Sequence, residues 1–115
     1  RQAPQFYYVR EQAEVKAKLF KQALSDIDIA IYLAPDETSF KAEKASLQLR
    51  LNLISEAMQT AEQCVKEAPD YSDGYLILGL AQINSGKKEE GLANLDKAKN
   101  LGNSQATSLI EKYKK

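Results

Sequence analysis

Leu33-Ala34-Pro35-Asp36 returns as Glu67-Ala68-Pro69-Asp70, 34 residues further along a chain of 115. Sliding the sequence against itself by that interval brings Ala23 over Ala57 and Gly91, and Leu24 over Met58 and Leu92. Ala30 falls over Cys64 and Ala98, and Phe6 over Phe40. Small residues, apolar residues and a proline that recur in phase at such a period predict stacked repeats, each covering one face of the next. The units run over about 4–37, 38–71 and 72–105, with a closing helix over about 104–114, all in one domain.

Within each unit the apolar spacing predicts two helices. Pro4 suits the opening turn of the first, and Phe6, Ala13, Ala17 and Phe20 give it an apolar face. The second, from about Phe20 to Leu33, carries Ala23, Leu24, Ile27, Ala30 and Ile31 at three- and four-residue spacing. Pro35 stops it, and Asp36 is placed to cap the helix that follows. Leu47, Leu49, Leu51 and Leu53 alternate with polar residues and, taken alone, predict a strand. Leucine favours helix, however, and β-branched residues are scarce here. The repeat register assigns 38–51 to a first helix and 54–67 to a second, with Ala57, Met58, Ala61, Cys64 and Val65 inward until Pro69. Gly86 falls at an inter-helix turn, where a positive φ is wanted. Ala106, Leu109, Ile110 and Tyr113 put one apolar stripe on the last helix, which is expected to close the array.

With this period, paired helices and a proline near the end of its first two units, the chain resembles the tetratricopeptide repeat family. Tyr75, Leu78, Gly79, Ala81, Gly86, Leu92, Leu95, Ala98 and Leu101 fall on that family's characteristic positions, counted from Ser72. The resemblance implies an all-α, right-handed solenoid of three helix-turn-helix repeats plus a capping helix. It also implies that Gly79 and Gly91 stand where two helix backbones approach closely. Arg10 and Glu11 in the first repeat, and Lys44 in the second, depart from the small and apolar residues of the family pattern.

Composition narrows the function classes. Apolar residues at 43% and charged residues at 28% suit a folded domain rather than a disordered chain. Lys and Arg together number 16, as do Asp and Glu, so no net basic charge points to nucleic acid. The longest apolar run, Tyr75 to Ala81, is too short for membrane insertion. One cysteine allows no internal disulfide, which leaves cytoplasmic and extracytoplasmic compartments both open. A chain that begins at Arg1 rather than methionine is expected to be part of a longer protein.

No constellation for chemistry emerges. Histidine, the commonest general base and metal ligand, is absent. Cys64 shares the small inward position of Ala30 and Ala98, which makes it a structural thiol rather than a nucleophile. Asn84-Ser85-Gly86-Lys87-Lys88 lacks the first glycine and the hydroxyl residue of a phosphate-binding loop. Asp26 and Asp28 diverge on a helix and make no catalytic pair. The chain is therefore expected not to be an enzyme, with no catalytic residue, cofactor or metal.

The resemblance implies instead a concave groove lined by the first helix of each repeat. Carried across by position, its residues are Gln5, Tyr8, Gln12, Val15 and Lys16, then Ser39, Ala42, Ser46, Leu49 and Arg50, then Asp73, Leu76, Leu80, Ile83 and Asn84. Chaperone-tail binders of the family hold a terminal carboxylate with lysines, asparagines and an arginine. Here Tyr8, Gln12, Ala42, Ser46, Leu76 and Leu80 occupy the matching positions, so that specificity is not expected. Leu49, Leu76, Leu80 and Ile83 would make one end apolar. The same leucines can equally pack against their own repeat or lie under further repeats. The expected function is a protein–protein interaction module holding a partner peptide or helix, anchored at Tyr8, Leu49, Leu76, Leu80 and Ile83. The alternative is a structural spacer or self-association segment, met by adjacent repeats or by a second copy as a homo-oligomer.

Overall fold

The computed structural model describes residues 3–115. Seven helices follow in order: α1 (Pro4–Lys16), α2 (Phe20–Leu33), α3 (Thr38–Arg50), α4 (Ile54–Glu67), α5 (Ser72–Asn84), α6 (Lys88–Asn100) and α7 (Ala106–Lys114). There is no strand among the described residues. Leu47 and Leu49 lie within α3, and Leu51 and Leu53 flank the turn that ends it. Short turns fold α1 on α2, α3 on α4 and α5 on α6, and these hairpins stack through α2 on α3 and α4 on α5. The result is an all-α repeat solenoid of 47 × 26 × 23 Å, closed at one end by α7 lying on α6.

The turns repeat as faithfully as the helices. Lys18, Asn52 and Gly86, in the same phase of the three units, have φ of 62°, 63° and 94°. The residue after each donates its N–H five positions back, Leu19 to Glu14, Leu53 to Gln48 and Lys87 to Gln82, each at 2.8 Å. This is a Schellman closure, which satisfies a carbonyl left free at the helix end. Pro4 opens α1 as expected. Asp36 does not cap α3: Glu37 holds the N-cap position, and Asp36 lies one residue too early, in the turn.

The core lies both inside the hairpins and between them. Ala23, Ile27 and Ala30 of α2 pack with Phe40 and Leu47 of α3. Ala45 and Ala61 meet Leu78 of the next unit, and Tyr75, Leu76, Leu95 and Ala98 meet Ala106 of the cap. Gly79 and Gly91 mark the closest backbone approach. A Cβ on Gly79 would stand 2.7 Å from the Gly91 carbonyl oxygen, and one on Gly91 would stand 2.6 Å from that of Gly79.

The first repeat differs from its neighbours. Phe6, Ala13 and Ala17, expected to face inward, are exposed. Phe6 is 44% exposed although its counterpart Phe40 is 4% exposed, because a preceding hairpin packs on Phe40 and, among the described residues, no hairpin precedes α1. On α1 the buried side chain is Glu11, with Tyr7, Tyr8 and Val15 half-buried. The two basic departures from the repeat pattern find acids across helix boundaries. Arg10 donates from Nε and Nη2 to the two carboxylate oxygens of Asp26, both at 2.7 Å, and Lys44 pairs with Asp28 at 2.9 Å. Asp26 is thus a buried structural carboxylate.

Candidate functional site: a groove across three repeats

The helical period brings one face of α1, α3 and α5 to a shared cleft of about 350 Å³. Tyr8 comes from α1; Ser39, Ala42, Glu43, Ser46 and Arg50 come from α3; Asp73, Leu76 and Ile77 come from α5. Tyr71 and Gln105 close the rim from the connections before α5 and α7. Tyr8 is braced from behind by Phe40, their ring centroids 5.3 Å apart.

Seven residues expected from sequence therefore meet: Tyr8, Ser39, Ala42, Ser46, Arg50, Asp73 and Leu76. Gln12 is exposed and reaches the cleft wall through Glu43, to which its Nε2 donates at 3.1 Å. The others do not line it. Gln5 lies beside Phe6, Val9, Arg10 and Ala13 on the outer side of α1. Val15 packs on the first core cluster, and Leu80 and Ile83 pack on the third-repeat core beside Leu92, Leu109 and Ile110. Leu49 is half-buried outside the cleft. Of the apolar end expected of the groove, Leu76 lines this cleft, while Leu80 and Ile83 are half-buried against the third-repeat core.

Sequence reasoning missed Glu43, Tyr71, Ile77 and Gln105. Glu43 and Ile77 share a phase of the repeat, next to the Ala42 and Leu76 that were chosen, and that phase was the available signal. Tyr71 and Gln105 come from connections, where helical periodicity is silent.

The cleft carries charge that no cation neutralises among the described residues. Asp73 accepts from the Tyr71 hydroxyl at 3.2 Å and from Asn103 Nδ2 at 2.8 Å. Burial, and then the charge of Asp73, push the Tyr71 phenol well above its ordinary range. Behind Glu43 lies Glu11, 0% exposed, with Oε1 accepting from Gln12 at 2.7 Å and Oε2 without a hydrogen-bond partner. Burial first, and then its neighbour Glu43, push the Glu11 carboxyl up to about 8. Burial and the same two acids raise the Tyr8 phenol. The ion pairs among the described residues are Arg10–Asp26, Lys41–Glu67 and Lys44–Asp28, and none includes Glu43 or Asp73. Arg50 lays its guanidinium over the Phe20 ring, 5.4 Å from the centroid. The Cys64 thiol is buried and pushed up to about 11, chiefly by desolvation, which leaves it unreactive. This arrangement can hold a ligand by shape and charge.

Fold and groove define a helical-repeat solenoid. No family model matches the chain. Among curated proteins it is similar to Small glutamine-rich tetratricopeptide repeat-containing protein 2 of Saccharomyces cerevisiae, 27% identical over 95 residues that make up 83% of this chain and 28% of that protein. Among solved structures it is similar to the Arabidopsis OM64 TPR domain, with a TM-score of 0.89 at 20% identity over 97% of this chain and 94% of that one. The first TPR of Spaghetti (RPAP3), bound to the HSP90 peptide SRMEEVD, gives a TM-score of 0.88 at 19% identity over 98% and 91% of the two chains. The chain thus has the fold of tetratricopeptide repeat (TPR) domains and is similar in sequence to TPR-containing proteins. It spans little more than a quarter of the length of the curated relatives it matches.

Proposed function

We propose that this chain is a non-catalytic interaction module that holds a segment of a partner protein in the groove across α1, α3 and α5. The observation that carries this reading is a single open cleft fed by three successive repeats, with Ala42 and Leu76 beneath hydroxyl and carboxylate groups. An extended segment has backbone N–H and C=O groups to satisfy, and Ser39, Ser46, Tyr8 and Asp73 offer partners at intervals along the cleft. The solved peptide complex of a similar fold supports the same use. Selection of displayed peptides on the immobilised protein tests it. Selected peptides should lose binding to Ser46→Trp, which fills the cleft, while the circular dichroism of that variant stays unchanged. Peptides that bind the parent and Ser46→Trp equally would remove the groove from the account.

A second reading rests on α1. Phe6 and Val9 are 44% and 65% exposed on a face whose counterparts in later repeats meet the preceding hairpin. In this reading a second copy of the chain covers that face, and the chain is a self-association segment. Sedimentation velocity over a wide concentration range tests it, and a concentration-independent monomer overturns it.

A further inference from the structure

Glu43 and Asp73 both line the cleft, one on α3 and one on α5, and each accepts hydrogen bonds only from neutral donors. The one basic side chain lining the cleft, Arg50, is turned onto the Phe20 ring of α2. Against Glu43, wholly buried, stands Glu11 with Oε2 unpartnered. A carboxyl taken out of water without a cation or a full set of donors is unfavourable. An arriving cation would relieve that, and uncompensated acids at a docking surface select against acidic partners.

We propose that the groove takes a basic segment: an extended partner peptide whose lysine or arginine head groups are received by Glu43 and Asp73, with Glu11 behind Glu43 completing the site. This rests on the groove reading above and names its partner chemistry. Leu76, Ala42 and the Tyr8 ring supply apolar surface along which a lysine or arginine stem can lie while its head reaches the acids. An acidic sequence such as the SRMEEVD bound to the Spaghetti domain would set its glutamates and aspartate against Glu43 and Asp73.

The same geometry links binding to protons. Glu11 faces Glu43 on α3 and lies near Tyr8 and Glu14 on its own helix, and the Arg10–Asp26 pair joins α1 to α2. With its carboxyl pushed up to about 8, Glu11 keeps a proton at neutral pH that a cation at Glu43 would displace. Binding of a basic peptide is then accompanied by proton release into the buffer and strengthens as pH rises toward about 8.

The test uses three labelled peptides on the full chain: one alternating lysine with leucine, its glutamate-for-lysine counterpart, and SRMEEVD. Fluorescence anisotropy gives affinities, and amide chemical shifts locate the site. The lysine peptide should bind on the order of tenfold more tightly than its glutamate counterpart and shift amides of residues 39–46 and 73–77. Glu43→Gln should weaken it roughly fivefold and Glu43→Lys should weaken it further, both with unchanged circular dichroism. Tighter binding of an acidic peptide at those amides overturns the charge assignment and leaves the groove reading standing. A lysine peptide that shifts only amides elsewhere, or is indifferent to Glu43→Gln, overturns the proposal. If no peptide moves the groove amides at millimolar concentration, the groove reading falls with it.

Discussion

Replacing Glu11 by glutamine should make the protein more stable, and increasingly so as pH rises. The ordinary carboxyl value of 4.5 applies to the unfolded chain, whereas burial and Glu43 hold Glu11 at about 8 in the fold. Between those limits the unfolded chain has lost a proton that the folded one keeps. The folded state binds more protons, so stability falls as pH increases, by up to about 1.4 kcal/mol per pH unit. The loss accumulated by pH 8 is on the order of 3 kcal/mol, a large part of the stability of a small domain. Glutamine keeps the shape, carries no charge and can donate an N–H to Glu43. The variant should match the parent near pH 5 and exceed it by about 2–3 kcal/mol near pH 8.5 in urea denaturation followed by circular dichroism. It keeps a shallower slope, because burial and Asp26 also raise the Glu14 carboxyl. At the acid end the sign reverses: Arg10 holds Asp26 below its ordinary 3.8, and that contribution is lost as pH falls through this range. Parallel pH profiles for parent and variant would refute the assignment of a buried, proton-holding carboxyl to Glu11.

Three further outcomes are expected. Gly79→Ala should lose about 1–2 kcal/mol in urea denaturation, since the new Cβ meets the Gly91 backbone and overpacking outweighs a helix-propensity gain of about 1 kcal/mol. Lys18→Gly should gain up to about 1 kcal/mol by the same measurement, because lysine is held at a φ that glycine adopts without strain. Leu80→Asp should cost several kcal/mol and lower the thermal midpoint, since Leu80 packs on the third-repeat core and its aspartate would be buried there. An unchanged midpoint for Leu80→Asp would return that residue to the groove.

Much of the backbone was legible because a fixed period reports the same event more than once. Pro35 and Pro69 end equivalent helices, and the Gly79–Gly91 approach followed from the family resemblance rather than from the period. The strand-like alternation of Leu47 to Leu53 was outweighed by register, and the structure places it in α3 and the turn after it. What could not be read depends on contacts between helices. The structural role of Asp26 was hidden because its partner Arg10 lies 16 positions away on another helix. The groove was legible by phase to within one residue, and that residue mattered: Ala42 was chosen and Glu43 was not. Side-chain direction also hid Leu80 and Ile83, whose family position faces the groove while both pack, half-buried, against the third-repeat core.

The division of the apolar interior into clusters bears on how this molecule melts. Because each cluster joins neighbouring hairpins, opening one end need not dissolve the other. The amino-terminal hairpin, with Glu11 buried on α1, is expected to open before the carboxyl-terminal pair, which α7 seals. Heating should then give a broad, graded transition in which amide exchange runs from Phe6 toward Leu95, and a single melting temperature would describe neither end.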